Sequence, residues 1–522
     1  MMQWRSRTMI ETEVKLVAPH GVLKQLAQSP LFTSNGDDKQ PSLKGRKAER
    51  LESRYFDTAD RALQRHGLSL RVRKIGRRHC QTLKCRGDRP EARSFAKHEW
   101  ESTVEGFQPD LGRIPANELG GAAGALFAKL HPGALQPVFA TRMRRRKLPW
   151  RFGETVVEAA FDEGVIEAGR RRTRISEVEL ELKSGDGGPL FDLALQLLES
   201  APLALGGASK AQRGYSLAFD DAPPARKAAP SPLTRKVSVD DAVALMLSDC
   251  LGQVLANLAA AEEGRGPDGV HQMRVGIRRL RAMLGMLAKE IPAPSFDRFD
   301  REAKQLAEAL ATARSLDALI ESLDTARIPP QHRNVLKKRA MTARSEAYHT
   351  LRPRLKDPAV ARFVLALSGW IARRGWRNEI AGADLGRLTK PAPRLARRLL
   401  RKAAAKAEKR GTRLSSLSPR GRHKYRIALK KLRYAGQFCA PLYGKAAKPY
   451  LKRVARLLDA LGEDHDAQTV PALLDQIAQQ GKPPALNAAI GALTKRQARR
   501  QAALLQELKQ RRRRWNAAAA FW

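Results

Sequence analysis

Two periods run along this chain, one after the other. From Met9 to about Tyr215, apolar and charged residues alternate in short runs separated by Gly, Pro and Asp. That two-residue period belongs to strands with one buried face. The runs predict strands at 9–17, 51–57, 68–75, 79–86, 95–104, 139–149, 154–162 and 174–183, interrupted by helical patterns near 19–28, 117–130 and 189–200. At 222–232 the segment APPARKAAPSP has no period and reads as a linker. Beyond it Ala, Leu, Arg and Lys recur with a period of about 3.6 residues, broken at intervals by Pro or Gly, which predicts a helical bundle. The expected fold class is α+β in two domains, residues 1–221 and 233–522 on either side of the linker.

The helical half repeats itself, over about 238–375 and 390–515. His271, Arg274, Arg278 and Arg281 recur as His423, Arg426, Lys430 and Arg433. On a helix, positions i, i+3, i+7 and i+10 fall in one arc, so each set forms a basic stripe. Ile277, Leu280, Leu284 and Leu287 fall on another arc, suited to the core. Each copy is followed by an acidic segment, expected as a turn, around Asp317 in the first and Asp464, His465 and Asp466 in the second.

In the strand half, charge is sorted by face. Glu11, Glu13 and Lys15 share one side of the first strand, and Glu177, Glu179, Glu181 and Lys183 share one side of the last. Arg71 and Arg73 lie two apart, Lys84 follows on the next strand, and Arg142 and Arg144 are again two apart. Any one such face could simply be the wet side of a half-buried strand. Together, acids crowd some faces and bases others. Clustered carboxylates suit a divalent cation, and clustered guanidinium forks suit phosphate oxygens. Turned inward, these faces would line a barrel with a polar lumen.

Charge extends the picture. The formal net charge is +44, and roughly +33 of it falls from Ser231 onward. Such an excess calls for a polyanionic partner. Aromatic residues are sparse in the basic half, so base stacking is poorly supported and nucleic acid is not expected as the specific partner. The four cysteines form no CxxC pair, which favours a reducing compartment over a disulfide framework or a zinc site. The first residues lack an apolar signal core, and no run reaches about 18 uninterrupted apolar residues. A cytoplasmic protein with no membrane span is expected; oligomeric state is left open.

The ordered set Glu11-x-Glu13-x-Lys15, Tyr55-Phe56-Asp57-Thr58, Leu70-Arg71-Val72-Arg73, Thr82-Leu83-Lys84, Asp162-Glu163-Gly164, Ser176-Glu177-Val178-Glu179-Leu180-Glu181 and Ser209-Lys210 resembles the CYTH superfamily over about 9–220. The resemblance implies a tunnel of eight antiparallel strands and a triphosphatase using Mg2+ or Mn2+. It assigns metal binding to Glu11, Glu13, Asp162, Glu179 and Glu181, with Glu177 competing for a place. It gives the grip on inorganic triphosphate to Lys15, Arg71, Arg73, Lys84, Lys210 and either Arg142 or Arg144, with Lys183 on the same strand face as the acids. Glu11, Glu13 and Lys15 would carry catalysis. The duplicated stripes resemble the CHAD domain over about 238–515, which implies binding of inorganic polyphosphate by His271, Arg274, Arg278, Arg281, His423, Arg426, Lys430 and Arg433. A polyphosphate-binding protein with a silent tunnel, or one associated with polyphosphate granules, is the alternative reading.

Overall fold

The computed structural model describes residues 9–28, 46–85, 96–114, 119, 121–231, 233–478 and 484–522, without the side chains at 9–11, 96–98, 466–469, 471, 476–477, 497 and 501–502. The chain gathers into two compact units. The first comprises Met1–Arg226, Leu255–Gly266 and Leu355–Arg373; the second comprises Lys227–Val254, Pro267–Arg354 and Arg374–Trp522.

The first unit is built on one antiparallel sheet of β1 (Met9–Val17), β2 (Glu49–Asp57), β3 (Leu68–Ile75), β4 (Arg78–Cys85), β5 (Ala96–Val104), β6 (Gln136–Phe152), β7 (Thr155–Ala168), β8 (Arg171–Ser184) and β9 (Ala204–Leu205). The strand order is β5-β4-β3-β2-β6-β7-β8-β1-β9. β1 pairs with β5 as well, Met9 to Thr12 against Glu99 to Ala96, so the eight long strands come round to their start. Closure is partial. The β5 pairing stops at Thr12, and β9 takes up β1 at Leu16 and Val17. Every strand predicted from alternation is present, and the two-residue β9 is an addition.

Alternation now acquires an inside and an outside. Val14, Leu16, Leu70, Val72, Val178 and Leu180 are fully buried on the outer surface of the sheet. Leu70, Val72, Leu83 and Trp100 pack with Ile114, Leu119 and Phe127 from the connection that follows β5. Helix α1 (Gly188–Ser200) covers β1, β7 and β8 with the buried Leu190, Leu193 and Leu197. Its other flank packs against the helix Pro358–Ala372, where Phe191 touches Gly369 and Arg373 pairs with Asp192. The strand unit thus takes a helix from far beyond the linker.

Helix α2 (Lys210–Phe219) was not apparent in the sequence pattern. A capping box starts it: Gln212 N donates to Ser209 Oγ at 3.2 Å, and Ser209 N donates to Gln212 Oε1 at 3.0 Å. Tyr215 then packs with Leu51, Tyr55, Phe139, Met143, Ile166 and Ile175, an apolar cluster at one end of the barrel interior. Gly214 is required there, since a Cβ would fall 2.0 Å from the Phe139 ring.

The second unit is helical. In α3 (Asp268–Leu287), Met273, Ile277, Leu280, Leu284 and Leu287 form the buried face. The acidic segments expected as turns instead lie inside helices, Asp317 in α4 (Ala311–Asp324) and Asp464 in α6 (Ala447–Ala478). Between them comes α5 (Pro419–Cys439), which packs Tyr425, Leu429 and Leu432 against Val454, Leu457 and Leu461. Among the described residues one stretch, Val239–Glu263, is long and apolar enough to cross a membrane. Its most apolar window is 61% buried, as a core helix would be.

Candidate functional site

Cross-strand register brings the charged strand faces together inside the barrel. Lys15 lies opposite Glu179, Glu13 opposite Glu181, Asp162 opposite both Glu177 and Arg145, and Lys84 opposite Glu99. Asp162, Glu177 and Glu179 each place a carboxylate oxygen within 4.8 Å of the others. Three cations converge on them. Arg145 forks onto Asp162 at 2.7 and 2.6 Å and reaches Glu179 at 2.5 Å. Lys210 meets Asp162 at 2.7 Å and Glu179 at 2.8 Å, and also pairs with Glu177. Lys15 meets Glu177 at 3.1 Å and Glu13 at 3.4 Å, and pairs with Glu179. Arg213 adds a contact to Glu177 at 3.1 Å.

This packing of opposite charges in a buried space sets the ionisation states. Burial opposes the charge on Lys15, but Glu177, Glu179 and Glu13 outweigh it and hold the ammonium well above its ordinary range. Burial likewise opposes charge on Glu179, yet Lys15, Lys210 and Arg145 keep it well below the usual carboxylate range. On the opposite wall the bases crowd one another. Burial and the neighbouring Arg71 and Arg145 lower Arg73 to about 10. Its guanidinium donates to Ser53 Oγ at 3.0 Å, while the buried Arg71 Nε has no acceptor among the described residues. Tyr55 is buried beside Arg71, Arg73 and Lys210, and these cations outweigh burial to lower its phenol. Burial and Glu101 push the Cys80 thiol up to about 11, which unsuits it as a nucleophile.

The structure gathers Glu13, Lys15, Arg71, Arg73, Lys84, Asp162, Glu177, Glu179 and Lys210 in the lumen. Glu181 and Lys183 pair with each other at 2.5 Å and are more exposed than the acids below them. The side chain of Glu11 lies outside the described residues. Arg142 and Arg144 correct the expectation: both are exposed on the outer face, and Arg142 pairs with Glu167 at 2.5 Å. Arg145 holds the inward position. The reason is the apolar cluster at one end of the barrel, which turns Met143 inward and its two flanking arginines outward. The Asp57 carboxylate is structural, accepting from Thr58 N, Leu63 N, Gln64 N and Tyr215 Oη at 2.8 to 3.0 Å. Arg145 and Arg213 were missed. Asp162 opposite Arg145 was the one available sign, and it needs the register.

In the helical unit the stripe residues His271, Arg274, Arg278 and Arg281 lie on α3, and His423, Arg426, Lys430 and Arg433 on α5, all half-buried. Arg281 is engaged by Asp300 at 2.8 Å, and Arg274 donates to Ala307 O at 2.5 Å. Burial, Arg278 and Arg314 lower Arg274 to about 10. Burial and the same two arginines lower His271. The second stripe gains a residue from α6. The His423 and His465 rings lie 4.8 Å apart, and burial with Arg426, His423 and Lys430 lowers His465 to about 4. The nearby acids support the helices: Asp317 accepts from Arg344 at 2.7 Å and Tyr348 at 2.8 Å, and Asp464 from Arg422 at 2.8 Å.

A barrel lined by sorted acids and bases, joined to a helical domain with two cationic stripes, defines the class. The CYTH domain family matches residues 9–215 and the CHAD domain family matches residues 245–475, so the chain is a two-domain CYTH–CHAD protein. It is 32% identical over 175 residues to an inorganic triphosphatase of Haemophilus influenzae, a match covering 32% of this chain and 46% of that protein. It is also similar to the crystal structure of a CHAD domain from the plant Ricinus communis, with 27% identity, 57% of this chain and 97% of that one covered, and a TM-score of 0.48. The Hippeastrum protein HpAC1, described as having a dominant triphosphatase activity, is 21% identical over 40% of this chain and 96% of its own, with a TM-score of 0.27.

Proposed function

We propose that the barrel is a metal-dependent inorganic triphosphatase, cleaving tripolyphosphate to pyrophosphate and phosphate, and that the helical domain binds inorganic polyphosphate. The observation carrying this reading is the lumen: three carboxylates within 4.8 Å of one another, ringed by Lys15, Lys210 and Arg145. Hard carboxylate oxygens suit Mg2+ or Mn2+, and Asp162, Glu177 and Glu179, with Glu13 beside them, would hold it. Bound there, the ion would neutralise charge on the phosphate oxygens. Lys15, Lys210 and Arg145 then turn from the acids to the substrate, while Arg71, Arg73 and Lys84 bind and orient its far end. Glu13, buried beside Lys15, orients the attacking water. The half-buried stripes of α3 and α5 supply the cations for a longer phosphate chain. Cysteines that form no disulfide with one another support a cytoplasmic setting.

The test is phosphate release from tripolyphosphate with Mg2+ or Mn2+, with EDTA, and beside ATP and thiamine triphosphate. Release that EDTA abolishes and that Lys15→Ala and Glu13→Ala each reduce at least about a hundredfold is expected. No release from any substrate would leave a polyphosphate-binding protein with a silent tunnel.

A further inference from the structure

The outer wall of the barrel carries charge that the lumen does not explain. The β2–β6 ladder sets Arg50 directly opposite Arg144 and Glu52 opposite Arg142, and the β2–β3 ladder sets Glu52 opposite Lys74. These side chains have outward parity, and Arg50, Lys74, Arg142 and Arg144 are exposed. With Glu163 and the backbone at Gly76 and Gly164 they line a cavity of about 510 Å³. Gly164 lets β7 close up on β6, since a Cβ there would lie 2.2 Å from Arg142 O.

Within this cavity Arg142 has Glu167 as a partner and Glu52 has Arg54 at 3.6 Å. Arg50, Lys74 and Arg144 have no hydrogen-bond or ion-pair partner among the described residues. Like charges directly opposite on one sheet face destabilise the pair. A concave site that keeps Arg50 facing Arg144 and sets four bases, Arg50, Lys74, Arg142 and Arg144, against two acids, Glu52 opposite Lys74 and Glu163 opposite Arg144, carries a net positive charge suited to an anion. Guanidinium forks match phosphate oxygens. Among the described residues no aromatic side chain lines the cavity, so these residues offer no stacking surface of the kind a single-stranded nucleic acid would use. We propose that this outer cavity binds a condensed inorganic phosphate chain at a site separate from the lumen.

The test follows acetylation of Lys74 by mass spectrometry in the full chain as long-chain sodium polyphosphate is added. In the wild type, polyphosphate shields Lys74. Arg50→Ser, and independently Arg144→Gln, moves the midpoint of shielding about tenfold or more to higher polyphosphate, the loss of one charge-assisted contact. Arg50→Ser melts no lower than the wild type, because it removes half of a repelling pair. This readout does not depend on turnover, so it stands apart from the triphosphatase reading. Lys74 acetylated equally with and without polyphosphate would overturn the proposal. So would an unchanged midpoint in both variants, or equal shielding by a single-stranded RNA of matched charge.

Discussion

The barrel lumen and the α3–α5 stripes are both rich in buried cationic groups, yet they balance charge in opposite ways. In the lumen, Lys15, Lys210 and Arg145 each touch two or more carboxylates, and mutual attraction keeps Lys15 and Glu179 ionised far outside their ordinary ranges. Along the stripes cations predominate, and the response is the reverse: His271, Arg274, His423 and His465 are all lowered by burial and by other cations. A mixed-sign site is stable when empty and must exchange partners to bind. A site in which cations predominate stores repulsion that an arriving polyanion would relieve.

The comparison presupposes that the barrel is complete only with Pro358–Ala372. A chain truncated after Arg226 loses this helix and with it the cover over the flank of α1 that carries Phe191. At about 1.5–3 kcal/mol per uncovered large apolar side chain, this removes a substantial share of a domain's marginal stability. Such a fragment is expected to aggregate or to lack a cooperative melt; a wild-type-like melt would show the strand unit to be self-sufficient.

Arg145→Ala should cost about 3 kcal/mol in denaturant unfolding, since Asp162 is fully buried and loses its two-pronged partner. Arg142→Ala, on the exposed face, should stay within about 0.5 kcal/mol. Equal effects would refute the inward assignment of Arg145. In the stripes the balance should tip from stability to binding. Arg278→Ala should leave the melt unchanged or slightly raised while reducing the salt slope of polyphosphate affinity by about one phosphate contact. A stability loss with an unchanged slope would make Arg278 a packing residue.

A further effect concerns pH. His465, lowered to about 4 in the folded protein from 6.5, binds its proton more readily when unfolded. Stability from this group is therefore present above pH 6.5 and is lost as pH falls toward 4. Polyphosphate should reverse the trend by favouring the imidazolium, so NMR titration should find the His465 value higher with polyphosphate than without. An unchanged value would remove His465 from the binding surface. In the lumen the sign is the same and the cause differs: Glu179, held below its ordinary value by Lys15, Lys210 and Arg145, contributes stability above pH 4.5 and loses it as the solution is acidified through the folded value.

Much of the architecture was legible in the residues because period translates directly into element type. The eight long strands, the helical character of the second half and the acidic faces of β1 and β8 follow from alternation and spacing. Legibility failed where a run lacked contrast. From Arg142 to Lys147 the chain reads Arg-Met-Arg-Arg-Arg-Lys, and either parity offers a pair of bases. Helix α2 escaped notice because Lys210, Gln212 and Arg213 obscure its apolar side, although Ser209 and Gln212 spell the capping box that begins it.

By itself the sequence determined which residues travel together: Glu13 with Lys15, Glu177 with Glu179, and the bases of each helical stripe. Local geometry makes such neighbours share a face whatever surrounds them. Only the tertiary structure decided which face is inside and what lies across from it. The apolar cluster around Met143 sends Arg142 and Arg144 to the outer wall and Arg145 to Asp162, and the strand register brings Lys15, from the first strand, onto Glu179 of the eighth. These outcomes depend on closure of the sheet and on the packing of α2 against it, contacts between residues so distant in the chain that no local period encodes them.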